Sequence, residues 1–399
     1  MPFPRTALGK PALLAFALVA ILGAPQAEAA KKKKRAPSAP AVSAECSDFY
    51  AAANADWLKK NVLPADAGSI SVLGQFRDRT LQQQRDLLDS AMKAPQGNVQ
   101  KLLGDFWASG LDDAAVEADG SKPIAPLLDR INAIKKAKDI PPSIAALHQV
   151  GIPVAFNFSP DVDLEHLDRH IGYFMQGGLG LPDPAYYTRT DADTRELLGR
   201  YRAYVQQILA LTGTPKNKLE AESQAVIDLE TRLAQASKPL ADLRNPLTNS
   251  VPVATKDLGK QYRNLQLDAF LKAQGVNDDK VSMADPQLFK RLDGLITSIK
   301  PDQWKTYLRW RVGDAMAPYL AKPFREAEFG FRGRVLRGDV APAPRWQQVL
   351  DAMNLAAGPM VGREYAARYL PDANKARAVA ISEQVRDALG RGIDRNQWM

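Results

Sequence analysis

The sequence predicts a mainly α-helical, multi-helical lobe that carries one small β-hairpin. Apolar residues recur with helical spacing through long stretches, as in Leu197, Leu198, Tyr201, Tyr204, Val205, Ile208 and Leu209. Alternation with period two is confined to Val154–Phe158 and to the β-branched and aromatic mixture of His170–Met175. From Cys46 onward there is no low-complexity segment and no repeat of fixed period, so the chain is long enough to close a large core, in one lobe or two.

Residues 1–29 have the anatomy of a secretory signal: Arg5 and Lys10 near the start, an apolar run from Ala12 to Leu22, then Ala27-Glu28-Ala29 as a small-x-small cleavage site. The run is too short to span a bilayer, so the mature chain is expected to have no transmembrane segment and to be periplasmic or extracellular. Residues 30–45 read as a basic, Pro/Ala-rich linker, and 46–399 as one folded region. The single cysteine, Cys46, excludes an internal disulfide framework and is read as an unmodified thiol.

The formal net charge is +8, of which Lys31–Arg35 carries +5 and the leader +1, leaving +2 on the body. A basic run followed by Ala-Pro-Ser-Ala-Pro is first a solvated linker; weak contact with an anionic envelope surface is its second reading. No aromatic residues interleave with it, so nucleic acid is not an expected partner.

Among the helices, Asp193-Thr194-Arg195-Glu196 resembles a capping-box start for the 197–209 stripe, and Gly213 ends it. Trp346, Val349, Leu350 and Met353 form a second stripe, and Ala378, Ile381, Val385, Ala388 and Leu389 a third. Between the strands and the first of these helices runs Gln176-Gly-Gly-Leu-Gly-Leu-Pro-Asp-Pro-Ala-Tyr-Tyr187. Its paired glycines permit positive φ or close packing and Pro182 fixes the following turn, which predicts a rigid loop positioning a lobe.

Candidate chemistry is sparse. Of the histidines His148, His166 and His170, the last two stand at i, i+4, the spacing of a helical zinc pair. The position after His166 is Leu167 where a zincin needs a general-base glutamate, and the segment leads into a strand, where residues four apart stand roughly 13 Å from one another. His166 and His170 are therefore rejected as metal ligands. No G-x-S-x-G elbow and no phosphate-cradling glycine loop appears.

The loop 176–187, together with DFYAAANADW (48–57), FWASGLDDAAVEADGSKPI (106–124), VIDLETRLAQAS and LRNP (226–246), WKTYLRW (304–310) and PRW (344–346), resembles the neprilysin and endothelin-converting-enzyme family of zinc metallopeptidases in order and spacing. That resemblance implies the non-catalytic lobe of a zinc-dependent endopeptidase acting on oligopeptides. The family's H-E-x-x-H motif and third zinc ligand, a glutamate, would fall beyond Trp398-Met399, and its Asn-Ala-aromatic substrate strand has no match, since Asn54-Ala55 precedes Asp56 and Asn132-Ala133 precedes Ile134. The expectation is a chain truncated before that motif, with no catalytic residue, no metal ligand and no cofactor bound by itself. Arg77, in Gln75-Phe76-Arg77-Asp78, resembles a family arginine that holds the carboxylate end of a peptide; its companion would fall near Ser69, where no arginine stands. The alternative is an exposed Arg77 paired with Asp78. The alternative to the peptidase reading is a stand-alone envelope module that binds peptides or scaffolds a partner. If the catalytic lobe is missing, the stripes at 346–353 and 378–389 are expected to leave apolar surface uncovered.

Overall fold

The computed structural model describes residues 44–62 and 70–398, so the leader, most of the linker with Lys31–Arg35, and Ser69 lie outside the described residues. The chain divides into two units, 1–70 and 71–399. In the first, three short helices follow one another: Ala44–Ser47, Phe49–Ala53 and Ala55–Lys60. The second opens on Asp48, whose carboxylate accepts the Ala51 amide at 2.8 Å, so the aspartate of the DFY motif works as a helix cap. The Cys46 thiol is exposed.

The second unit contains two hydrophobic cores. The larger is built from helices Ile140–Gln149, Ala192–Leu211, Leu219–Ala236, Pro286–Ser298 and Pro301–Met316 around a four-stranded sheet. Its strands are β1 (Phe156–Asp163), β2 (His166–Gln176), β3 (Val251–Ala254) and β4 (Lys280–Met283), in the order β1-β2-β4-β3. β1 and β2 form the antiparallel hairpin expected from the alternation, but the hairpin is longer than predicted and β4 joins β2 in parallel. β3 and β4 have four residues each, too few for a period-two pattern to register. β1 starts two residues late because Ala155 takes a left-handed φ of 65°, held by the Tyr307 hydroxyl accepting its N–H at 3.0 Å.

Helix Ala192–Leu211 buries Tyr201, Tyr204, Val205, Ile208 and Leu209, as its stripe requires. Its cap is Asp191, not the 193–196 box: the amide and hydroxyl of Thr194 donate to the Asp191 carboxyl and hold it down at about 2. In Pro301–Met316, the WKTYLRW segment buries Trp304, Tyr307 and Trp310 completely.

The smaller core joins helices Val72–Lys93, Asn98–Leu111 and Arg345–Tyr369 through Leu88, Leu103, Trp107, Val349, Leu350 and Met353. The 346–353 stripe is thus covered by the chain itself, contrary to the expectation that it faces a missing lobe. Arg345 of the PRW segment donates twice to the Gly110 carbonyl (Nε 3.0 Å, Nη2 2.7 Å) and pairs with Asp113 at 3.2 Å, which fastens this core to the FWASGLDD segment. Helix Asp372–Asp394 behaves differently. It buries no residue, and Ile381, Val385, Leu389 and Ile393 are all more than half exposed.

Candidate functional site

The densest polar arrangement of the described residues surrounds the loop 176–187. Three consecutive carbonyls are each taken by a side chain: Gly178 by the Tyr307 hydroxyl (2.7 Å), Leu179 by Arg311 Nη1 (3.1 Å) and Gly180 by Arg332 Nη1 (3.2 Å). The next amide, of Leu181, donates to the Tyr187 hydroxyl at 2.9 Å. A buried loop must have each backbone group matched in this way, because an unmatched one costs about 1–3 kcal/mol. The glycines are required by contact. Gly178 has φ +81°, and a Cβ there would stand 2.6 Å from the Ala155 backbone; one at Gly180 would overlap the Tyr201 hydroxyl.

Two buried carboxylates organise these side chains. Glu230, wholly buried, accepts from Tyr187 and Tyr201 hydroxyls on Oε2, both at 2.7 Å, and from Trp310 Nε1 on Oε1 at 3.1 Å. Burial pushes its carboxyl above the usual range, opposed by Arg311 and these donors, and pushes both phenols well up so that they remain donors. Asp314 accepts Arg332 through two parallel bonds (2.8 and 2.6 Å) and the Tyr204 hydroxyl at 2.8 Å. The hydroxyls, the indole and the carboxylates of the set are turned onto one another, and Arg311 Nε is its one buried polar atom without a partner, so the arrangement is suited to holding a shape and offers no free acid, base or nucleophile. These bonds tie the loop to helices Leu219–Ala236 and Pro301–Met316.

The residues singled out from the sequence are not brought together. Arg77 lies on Val72–Lys93, highly exposed, with Nε 3.6 Å from Asp78 Oδ1. His166 and His170 stand exposed on β2, opposite Asp163 and Val162. Residues four apart on a strand stand roughly 13 Å from one another, and among the described residues no group of three His, Cys, Asp or Glu side chains is placed to hold a metal ion. The described residues do not fit a zinc site. His148 is structural: its Nε2 meets the Val154 amide at 3.2 Å and carbonyl at 3.1 Å, its ring packs on Phe156 and Phe270, and burial lowers its pKa.

Glu230, Asp314, Arg311 and Arg332 were missed by the sequence reading. One signal was available for Glu230, which sits among Val226, Leu229, Leu233 and Ala234 on the apolar face of Leu219–Ala236. An acid in that position must find donors.

With this geometry in hand, the comparisons with known proteins are informative. The model of peptidase family M13 matches residues 45–399. Endothelin-converting enzyme-like 1 of Mus musculus is 25% identical over 374 residues, covering 89% of this chain and 48% of that protein; Neprilysin-3 of Drosophila melanogaster is 25% identical over 376 residues with the same coverage. The chain thus spans about half the length of the curated relatives it matches. Among solved structures, Mycobacterium tuberculosis zinc metalloprotease Zmp1 with an inhibitor superposes with a TM-score of 0.78 at 25% identity, covering 88% of this chain and 54% of that one. PepO from Lactobacillus rhamnosis shares the fold, with a TM-score of 0.75 at 20% identity over 88% of this chain and 56% of that one.

Proposed function

The chain belongs to peptidase family M13, and from that premise we propose that it supplies the amino-terminal, non-catalytic part of a secreted zinc-dependent metalloendopeptidase acting on oligopeptides. The observation that carries this reading is the family match across 45–399 by relatives twice as long. Its contribution is shape: a lobe whose loop 176–187 is fixed by Tyr307, Arg311 and Arg332 forms a rigid wall that limits which peptides gain access. Rigidity suits that role because a yielding wall discriminates poorly by size. The uncovered stripe of Asp372–Asp394 supports the same reading, since an apolar face of this kind marks an interaction surface.

Zinc, the catalytic glutamate and the attacking water are assigned to residues outside this chain, so no chemical step is routed through its own. Arg77 is proposed to hold the carboxylate end of a peptide, a task suited to an exposed guanidinium fork whose neighbour Asp78 stands 3.6 Å away. Residues 1–29 are proposed to direct the chain across the inner membrane to a periplasmic or extracellular location.

The purified chain alone tests the proposal. After dialysis its metal content should be substoichiometric, and a mixed oligopeptide library should remain intact. One tightly held zinc per chain, or cleavage abolished by a chelator, would sink it.

A further inference from the structure

Between the two cores of the 71–398 unit lies a cavity of about 600 Å3, walled on one side by Pro318, Tyr319 and Phe329 and on the other by Pro342, Ala343 and Ala352. Its cations are already committed. Arg325 is held by Glu117 at 3.2 Å and the Leu320 carbonyl at 2.8 Å, Arg337 by Asp339 at 2.8 Å, and Lys322 stands 3.6 Å from Glu326.

Two carboxylates in the same cavity are left without donors. The Glu328 side chain is only 17% exposed and among the described residues accepts no hydrogen bond; it pairs with Arg337 Nη1 at 3.8 Å, a guanidinium already engaged with Asp339. Asp351 has neither a hydrogen bond nor an ion pair among the described residues. Burial raises both carboxyls above their usual range. Glu328, largely withdrawn from water with no donor, is poorly stabilised, and an incoming group that brings both charge and N–H donors reverses that, with the exposed Asp351 of the same lining as a second acceptor. An anion would meet acidic lining residues in excess of basic ones, and a neutral apolar molecule would leave Glu328 without a donor. The proline and aromatic walls suit a hydrocarbon stem, and the Tyr319 ring suits a cation; Phe329 already carries the Arg334 guanidinium 5.4 Å from its centroid.

We infer that this cleft binds a guanidinium or alkylammonium group on an apolar stem, with Glu328 and Asp351 accepting its N–H groups. The side chain of an arginine or lysine in a peptide and a small free amine share this chemistry. The inference does not depend on the peptidase reading, because it concerns binding by this chain alone.

Calorimetric titration with butylguanidinium and its neutral isostere butylurea provides the test. Saturable binding of one butylguanidinium per chain, none of butylurea, and affinity roughly ten- to a hundredfold weaker in both Glu328→Gln and Asp351→Asn are the expected results. Titration with acetyl-Gly-Arg-Gly-amide then distinguishes the sources: tighter binding than butylguanidinium assigns a peptide side chain, weaker binding a free amine, and either order upholds the site. Equal binding of the two isosteres, or unchanged affinity in the folded variants, overturns it. Should Glu328→Gln fail to fold, Asp351→Asn decides alone, since Asp351 is exposed and makes no hydrogen bond or ion pair among the described residues.

Discussion

Arg332 grips Asp314 with two parallel hydrogen bonds, Nε to Oδ1 at 2.8 Å and Nη2 to Oδ2 at 2.6 Å, and spends a further N–H on the Gly180 carbonyl. One guanidinium thereby ties the π-helix Phe329–Arg337 to helix Pro301–Met316 and to the loop 176–187. Lysine cannot reproduce the fork, and removing one partner of a buried pair leaves the other uncompensated. Arg332→Ala should cost about 3–5 kcal/mol in denaturant unfolding, and Arg332→Lys, which keeps the charge but not the fork, a smaller part of that. A loss below about 1 kcal/mol would show that the pair adds little.

Gly180→Ala should destabilise the chain by about 1–3 kcal/mol, because its methyl group overlaps the Tyr201 hydroxyl. Tyr201→Phe removes that oxygen and should recover part of the loss in the double variant. Additive single effects would contradict the proposed contact.

For Glu230, the folded pKa lies above the unfolded one, so the carboxyl's stabilising contribution is fully present below the ordinary glutamate value of 4.5 and is lost as pH rises through the folded value. The stability difference between wild type and Glu230→Gln should therefore shift against wild type as pH rises from below 4.5. His148 has the opposite sign. Burial lowers its folded pKa below 6.5, so its contribution is present above 6.5 and lost as pH falls. Unfolding curves between pH 5 and 7 should show wild type losing stability that His148→Gln keeps; parallel curves would refute the assignment.

The helices were legible from the sequence because each stripe repeats locally, as Tyr201 to Leu209 shows. The cap was misplaced by two residues because Asp191 and Asp193 offer the same side chain and only Asp191 reaches the Thr194 amide. β3 and β4 were illegible because pairing across the chain, and not local pattern, creates them. The same holds for the side chains fixing the 176–187 loop: its glycines announced a special backbone, but Tyr307 and Arg332 come from more than a hundred residues away. Covering of the 346–353 stripe by Leu88 and Trp107 is likewise a tertiary fact, and only the 378–389 stripe remained exposed as anticipated.

Arg77 can be examined in a fusion of this chain to the H-E-x-x-H-containing region of an M13 relative. Arg77→Ala should raise KM more than it lowers kcat for peptides with a free carboxyl end, a loss of about 1.5–3 kcal/mol in kcat/KM, and leave amidated peptides unaffected. Identical kinetics on both substrates would withdraw the assignment.

The central claim is that this chain supplies the walls of a peptidase whose chemistry resides elsewhere. Oligopeptide turnover by that fusion, measured with zinc and again with a chelator beside the unfused chain, tests it most directly. Cleavage by the fusion alone, lost on chelation, is the predicted result. A folded fusion with zinc bound that cleaves nothing, or equal cleavage by the unfused chain, would contradict it.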